Sequence, residues 1–289
     1  MKKIRVKITG FWQSDEKMLE MVREYGFGST QWKNIEFTLG IYDKLIILTS
    51  PNVKCVEYDV QKAITFHTEP ITSSNNEPHK SSFIAPLSLV GWTLNKTSKK
   101  LVLPNKNGLQ IKKTGLLSSV TSDLCYLDGH RARLKFLQRF DHLVEDGFDL
   151  WGRNEIGIFF KTIRSYRGEI DDKYDALLPY TYHFNCENSF DENYYTEKLL
   201  DPILTETLCF YDGCTNISSF IDDRAYVKLD IKNIEESIDI IIKSIDANEY
   251  KKRRPYVRKQ KERILTHLNP LNIIWMAVND MDIIKECTL

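Results

Sequence analysis

The chain has 289 residues, 42% hydrophobic and 28% charged, a balance that suits one large or two ordinary globular domains and excludes a disordered chain. Lysine plus arginine and aspartate plus glutamate stand at 40 each, so no net charge draws it toward nucleic acid or a membrane. No apolar run reaches the roughly 18 residues of a membrane span, and MKKIRVKITGFW lacks the apolar centre of a signal peptide.

Three short runs open the chain: IRVKI at 4–8, KLIILTS at 44–50 and KAITFHT at 62–68. β-branched and aromatic side chains between polar boundaries predict a strand for each. Residues 14–26, SDEKMLEMVREYG, predict a helix with Ser14 as cap, Met18, Leu19 and Val22 on one face, and Gly26 at the stop. This β-α-β rhythm predicts an α/β domain over 1–112. Residues 71–114 signal less: 71–82 is a loop by composition, and 96–113 suggests a short helix and a strand.

The second half is plainer. Strands are predicted at 115–123, 148–152, 181–188, 208–213 and 225–230. Helices are predicted at 128–143, with Leu134, Leu137 and Phe140 inward, and at 233–246, capped by Asn233. The alternation predicts a second parallel sheet covered by helices, over 113–265; the chain from about 247 to 289 reads as helical with breaks at Pro255 and Pro270, and 266–289 forms the tail. The expected fold class is therefore α/β: two Rossmann-like domains facing across a cleft.

The six cysteines form no CxxC pair, and no histidine cluster has zinc-ligand spacing. Free, mostly buried thiols suit a reducing compartment, so the expected location is cytoplasmic.

One stretch, CENSFDENYYTEKLLDPIL at 186–204, carries chemistry. A strand ends near Glu187-Asn188, a seven-residue loop follows, and Thr196 stands where a helix would be capped. Ligands of open parallel sheets bind beyond strand ends, near helix N-termini. Such a terminus offers free N–H groups and partial positive charge, which favour phosphate, and Lys198 adds a full charge there. Glu197 would repel phosphate, so its partner is a ribose diol. Asn188 offers a donor and an acceptor, and Tyr194 or Tyr195 a wall for sugar or base. Glutamate in a first turn is also ordinary dipole chemistry, so the residue types alone leave both readings open.

FNCEN, then YYTEKLLDPILTETLCFYDG, then NISSFIDDRAYVKLD resembles the donor-binding signature of the α1,3-fucosyltransferase family, with the same nine-residue step from Asn188 to Glu197. The resemblance is good over about 115–230. It implies a GT-B fold and inverting transfer of fucose from GDP-fucose, or a related GDP-sugar, to a glycan acceptor. It also implies a phosphate-binding arginine on the 128–143 helix. Arg133 has Phe136, Leu137 and Phe140 at the family's apolar spacing, and Arg131 matches less well. WGRNE at 151–155 resembles a strand-end segment in which Gly152 permits a close approach, with Arg153 not read as a ligand. In FHTE, Glu69 matches the strand-end glutamate that serves as general base. His67, on the same side if the strand continues, is its rival.

No Asp-x-Asp pair falls at a strand end: Asp280-Met-Asp282 reads as helix surface, so no obligate metal cofactor is expected. The basic run EYKKRRPYVRKQKER, 249–263, reads as a solvated helix, with weak attachment to a membrane face as the alternative and no nucleic-acid partner. The rival functions are transfer from a different nucleotide sugar, and a GDP-sugar- or glycan-binding protein without catalysis.

Overall fold

A computed structural model describes residues 2–52, 57–76, 82–83 and 111–289. Cys55 and most of the helix and strand expected within 96–113 lie outside these residues. The described residues of Met1–Thr93 and Arg263–Leu289 form one compact unit, and those of Leu94–Glu262 the other.

The first unit holds β1 (Ile4–Gly10), α1 (Asp15–Tyr25), β2 (Gln31–Trp32), β3 (Ile35–Phe37), β4 (Lys44–Leu48), β5 (Ala63–Phe66) and β6 (Ser82–Phe83). The sheet order is β2-β3-β1-β4-β5-β6, parallel apart from the β2–β3 pair. Ser14 caps α1 by accepting from the Lys17 N–H. Met18, Val22 and Tyr25 are its buried face, so Tyr25 completes the stripe and Leu19 is only half-buried. β5 stops at Phe66, two residues short of the predicted strand.

The second unit holds β7 (Gly115–Val120), α2 (Asp128–Leu143), β8 (Phe148–Trp151), β9 (Tyr166–Gly168), β10 (Tyr180–Cys186), α3 (Glu197–Leu204), β11 (Leu208–Asp212), β12 (Tyr226–Lys228) and α4 (Ile234–Asp246). Its described strands are all parallel, in the order β12-β11-β10-β7-β8-β9. The chain therefore builds outward from β7 to β9, then crosses back to lay β10, β11 and β12 on the other side. β7 and β10 are neighbours at the point where the order reverses, the usual ligand site of such sheets. The inward face of α2 is Arg133, Phe136, Leu137 and Phe140, while Leu134 is half-buried. Phe136 stacks on Phe184 of β10 at 4.6 Å.

The expected break at Pro255 does not occur: α5 (Glu249–Leu265) runs through it. A proline inside a helix costs about 3 kcal/mol. Burial of Val257, Ile264 and Leu265 offsets that cost. So does convergence of Arg254, Arg258 and Lys261 on the Glu206 carboxylate at 3.4, 2.8 and 3.4 Å. The basic run is thus partly consumed within the protein rather than wholly solvated.

Pro270 does interrupt the chain, as the first residue of α6 (Pro270–Val278), which Asn269 caps. Asn269 Nδ2 donates to the Tyr25 carbonyl at 3.0 Å, and Trp275 Nε1 to Asn34 Oδ1 at 2.6 Å, which ties α6 to the first unit. The turn before α7 (Ile283–Cys287) contains Asp280, and Asp282 caps that helix; neither lies on a helix face as expected. Among the described residues no helix is long and apolar enough to cross a membrane.

Candidate functional site

A cavity of about 460 Å³ opens at the carboxyl ends of β7 and β10. Arg133, Asn188, Glu197 and Lys198, four of the residues singled out above, line it. It also takes in His130, Lys173, His183, Asn185 and Asp201.

β10 ends at Cys186, so Glu187 and Asn188 begin the loop rather than finish the strand. Glu187 is fully buried and acts as a buckle. Its carboxylate accepts from the Thr196 N–H at 2.8 Å, from Thr196 Oγ1 at 2.8 and 3.0 Å, and from the Tyr211 hydroxyl at 3.2 Å. Burial pushes its pKa up, and Lys198 at 3.5 Å offsets that only in part. Two glycines make room for this closure. A Cβ on Gly213 would lie 2.4 Å from Glu187 Cγ, and one on Gly129 would lie 2.4 Å from the Glu187 carbonyl. Thr196 then caps α3, accepting from the Lys198 N–H at 3.3 Å.

Pro202 stands inside α3 and has no N–H to donate to the Lys198 carbonyl. Asn185 Nδ2 fills that place at 3.2 Å, with Cys209 Sγ at 3.8 Å. The helix start is thereby tied to β10 and β11. Lys198 Nζ lies 3.1 Å from Thr196 Oγ1 and 3.3 Å from Glu197. Burial opposes its charge, and Glu197 and Glu187 more than offset this, so its pKa is raised. Burial likewise opposes the Glu197 charge, but Lys198 and Lys173 hold that carboxyl at about 2.

Arg133 is 4% exposed, reaching the cavity from the inward face of α2. One guanidinium nitrogen donates to the Cys186 carbonyl and to Asn188 Oδ1, both at 3.1 Å. Its Nε–H is buried without a hydrogen-bond partner, an unusual cost for a charged group. Arg131 points elsewhere: it is exposed, pairs with Asp128 and donates to the Cys125 and Tyr126 carbonyls. Beside Arg133, His130 is kept neutral: burial and the Arg133 charge lower its pKa to about 4.

Gly152 does permit a close approach, since a Cβ there would lie 1.5 Å from the Thr121 carbonyl oxygen. The loop that follows is folded around Asp123, whose carboxylate accepts from the Glu155, Ile156 and Gly157 N–H groups. Arg153, not expected to contribute, is on the cavity rim with its side chain largely exposed.

The tyrosines are not brought to the cavity. Tyr194 and Tyr195 are 5% and 3% exposed, and Tyr195 packs on Phe220 at 5.6 Å. Glu69 belongs to the first unit, half-buried in a bend three residues beyond β5. His67 also lies past the strand end, so alternation does not govern which way the two side chains face. Next to them Thr68 and Thr49 share a hydrogen bond of 2.5 Å.

His130, Lys173, Asn185 and Asp201 escaped the sequence reading. Asn185 and Asp201 lie inside the motif, where strand and helix periodicity mark them only as polar interruptions. Lys173 sits in an irregular turn with no spacing signal.

No family model matches the chain, and no curated protein does. Solved structures do. An α1,3-fucosyltransferase solved with GDP is 16% identical, with a TM-score of 0.53, over 88% of this chain and 81% of that one. The same values hold for an α1,3-fucosyltransferase with GDP-fucose. The apo form of the lipopolysaccharide outer core galactosyltransferase WaaB is 10% identical, with a TM-score of 0.52, over 96% of this chain and all of that one. The likeness establishes a shared fold, the GT-B fold of these glycosyltransferases.

Proposed function

We propose that the chain is an inverting glycosyltransferase that moves fucose from GDP-fucose to a hydroxyl of a glycan acceptor, forming an α1,3 linkage. One observation carries the reading: Arg133, Lys198 and Glu197 converge on a single cavity at the strand-order switch of a GT-B fold. Arg133 and Lys198, with the N-terminus of α3, neutralise the diphosphate. Glu197 accepts hydrogen bonds from the ribose diol, and Asn188 holds the Arg133 guanidinium. Glu69, assigned from the sequence resemblance, takes the proton of the acceptor hydroxyl as its oxygen attacks the anomeric carbon. The carbon passes through an oxocarbenium-like state while GDP leaves from the opposite face. In this scheme protein cations carry the leaving-group charge, and no metal takes part.

The test is a panel of GDP- and UDP-sugars, scored for released nucleotide with and without a mixture of glycan acceptors. GDP-fucose should be consumed fastest, and only with acceptor. The galactosyltransferase neighbour makes UDP-galactose the donor to set against it. Turnover of UDP-galactose with GDP-fucose idle would overturn the donor. Binding of GDP-fucose without release under any acceptor would make the chain a binding protein.

A further inference from the structure

We infer that Lys173 and Asp201 form a brace that positions Glu197 for the ribose diol, governing ribose recognition without touching the nucleotide. The inference rests on the nucleotide-sugar reading of the cavity. Lys173 comes from the turn Lys173–Ala176 that follows β9, and it lines the cavity together with Glu197 and Asp201 of α3. Its ammonium pairs with Asp201, which is 1% exposed and also accepts from the Tyr174 hydroxyl at 2.9 Å. Glu197 and Asp201 are four residues apart, so their carboxylates share one face of α3, where like charges repel. Lys173 answers both: it pairs with Asp201 and helps to keep the Glu197 carboxyl ionised.

The other charged groups facing Glu197 are Lys198 on its own helix, Glu187 at the end of β10, and Arg133 on α2. In the proposed function Lys198 and Arg133 are engaged by the diphosphate. Lys173 is then the cation left to hold Glu197.

The experiment is calorimetric titration of GDP, 2′-deoxy-GDP, 3′-deoxy-GDP and inorganic pyrophosphate into the full chain and three variants. Lys173→Met should lose about ten- to a hundredfold in GDP affinity, the scale of one charge-assisted hydrogen bond. Its preference for GDP over the deoxy analogues should shrink, while pyrophosphate affinity stays. Lys173→Arg should restore the preference. Lys173→Met with Asp201→Asn leaves no buried carboxylate unpaired, so it guards against misfolding, and it should still discriminate less than the parent. A parental preference in the folded double variant, or equal losses for GDP and pyrophosphate, would overturn the brace. A ligand-free readout separates this from failure of the nucleotide reading. By carbon NMR of the carboxyls, Glu197 should titrate at higher pH in Lys173→Met than in the parent. An unchanged titration overturns the brace; a parent that ignores GDP overturns the nucleotide reading instead.

Discussion

Thr196 Oγ1 lies 2.8 Å from the buried Glu187 carboxylate and from the same atom caps the helix that carries Lys198. One hydroxyl thus joins the end of β10 to the start of α3 and fixes the loop between them. Glu187→Ala strands the Thr196 N–H, the Thr196 hydroxyl and the Tyr211 hydroxyl at once. Each stranded buried group costs about 1–3 kcal/mol, so the summed loss should reach roughly 3 kcal/mol or more in urea denaturation. Glu187→Gln keeps one acceptor oxygen and should lose clearly less. Equal stability of parent and Glu187→Ala would contradict the buckle.

Pro202 and Asn185 should be coupled. Asn185→Ala deprives the Lys198 carbonyl of its amide donor and should cost about 1–3 kcal/mol. Adding Pro202→Ala supplies a backbone N–H at the right place and should recover part of that loss. The readout is a four-variant denaturation cycle. Simple additivity would show that the carbonyl is satisfied some other way.

Acid should weaken the fold through its buried histidines. Burial and neighbouring cations hold His183 near 3 and His130 near 4, below their ordinary value. Both are neutral when folded and take up a proton on unfolding. Their stabilising effect is complete above about pH 6.5 and falls by roughly 1.4 kcal/mol per pH unit per group below it, as far as the folded values. Glu197, held at about 2, is likewise below its ordinary value: its contribution is present above that value and is lost only in stronger acid. Urea midpoints between pH 7.5 and 5 should decline, and His183→Gln should flatten the slope. An unchanged slope in that variant would contradict a buried neutral His183.

Glu69→Ala should cut transfer by about 10²–10⁴-fold while GDP titrations stay at the parental value. Near-parental turnover would remove Glu69 as the base and leave His67 to be tested the same way.

Much of the site was legible because its parts are local in sequence. A strand end, a loop and a capped helix carry Asn188, Glu197 and Lys198 within ten positions, and the parallel strands around them announced themselves by β-branched runs. Arg133 was preferred over Arg131 because Phe136, Leu137 and Phe140 follow it at the spacing of the resembled family, and those three residues do share its buried face of α2. What was not legible depends on contacts between distant segments. Lys173 and Asp201 meet from separate elements, the turn after β9 and α3, and the three-residue β9 gives no alternation to read. The two-stranded turn at 31–37 is hidden for the same reason. Tyr194 was assigned by residue type, but its loop is folded inward by the Glu187 buckle, and the ring is buried. Pro255 was read as a stop because propensity was visible and the Glu206 cluster was not.

The central claim is that the β7–β10 cavity holds a diphosphate between Arg133 and Lys198. Calorimetric titration of GDP into the parent, Arg133→Ala, Lys198→Ala and Arg131→Ala tests it most directly. Losing one such contact is worth about 3 kcal/mol, so Arg133→Ala and Lys198→Ala should each weaken binding about a hundredfold, with Arg131→Ala close to the parent. Parental affinity in both Arg133→Ala and Lys198→Ala would contradict it.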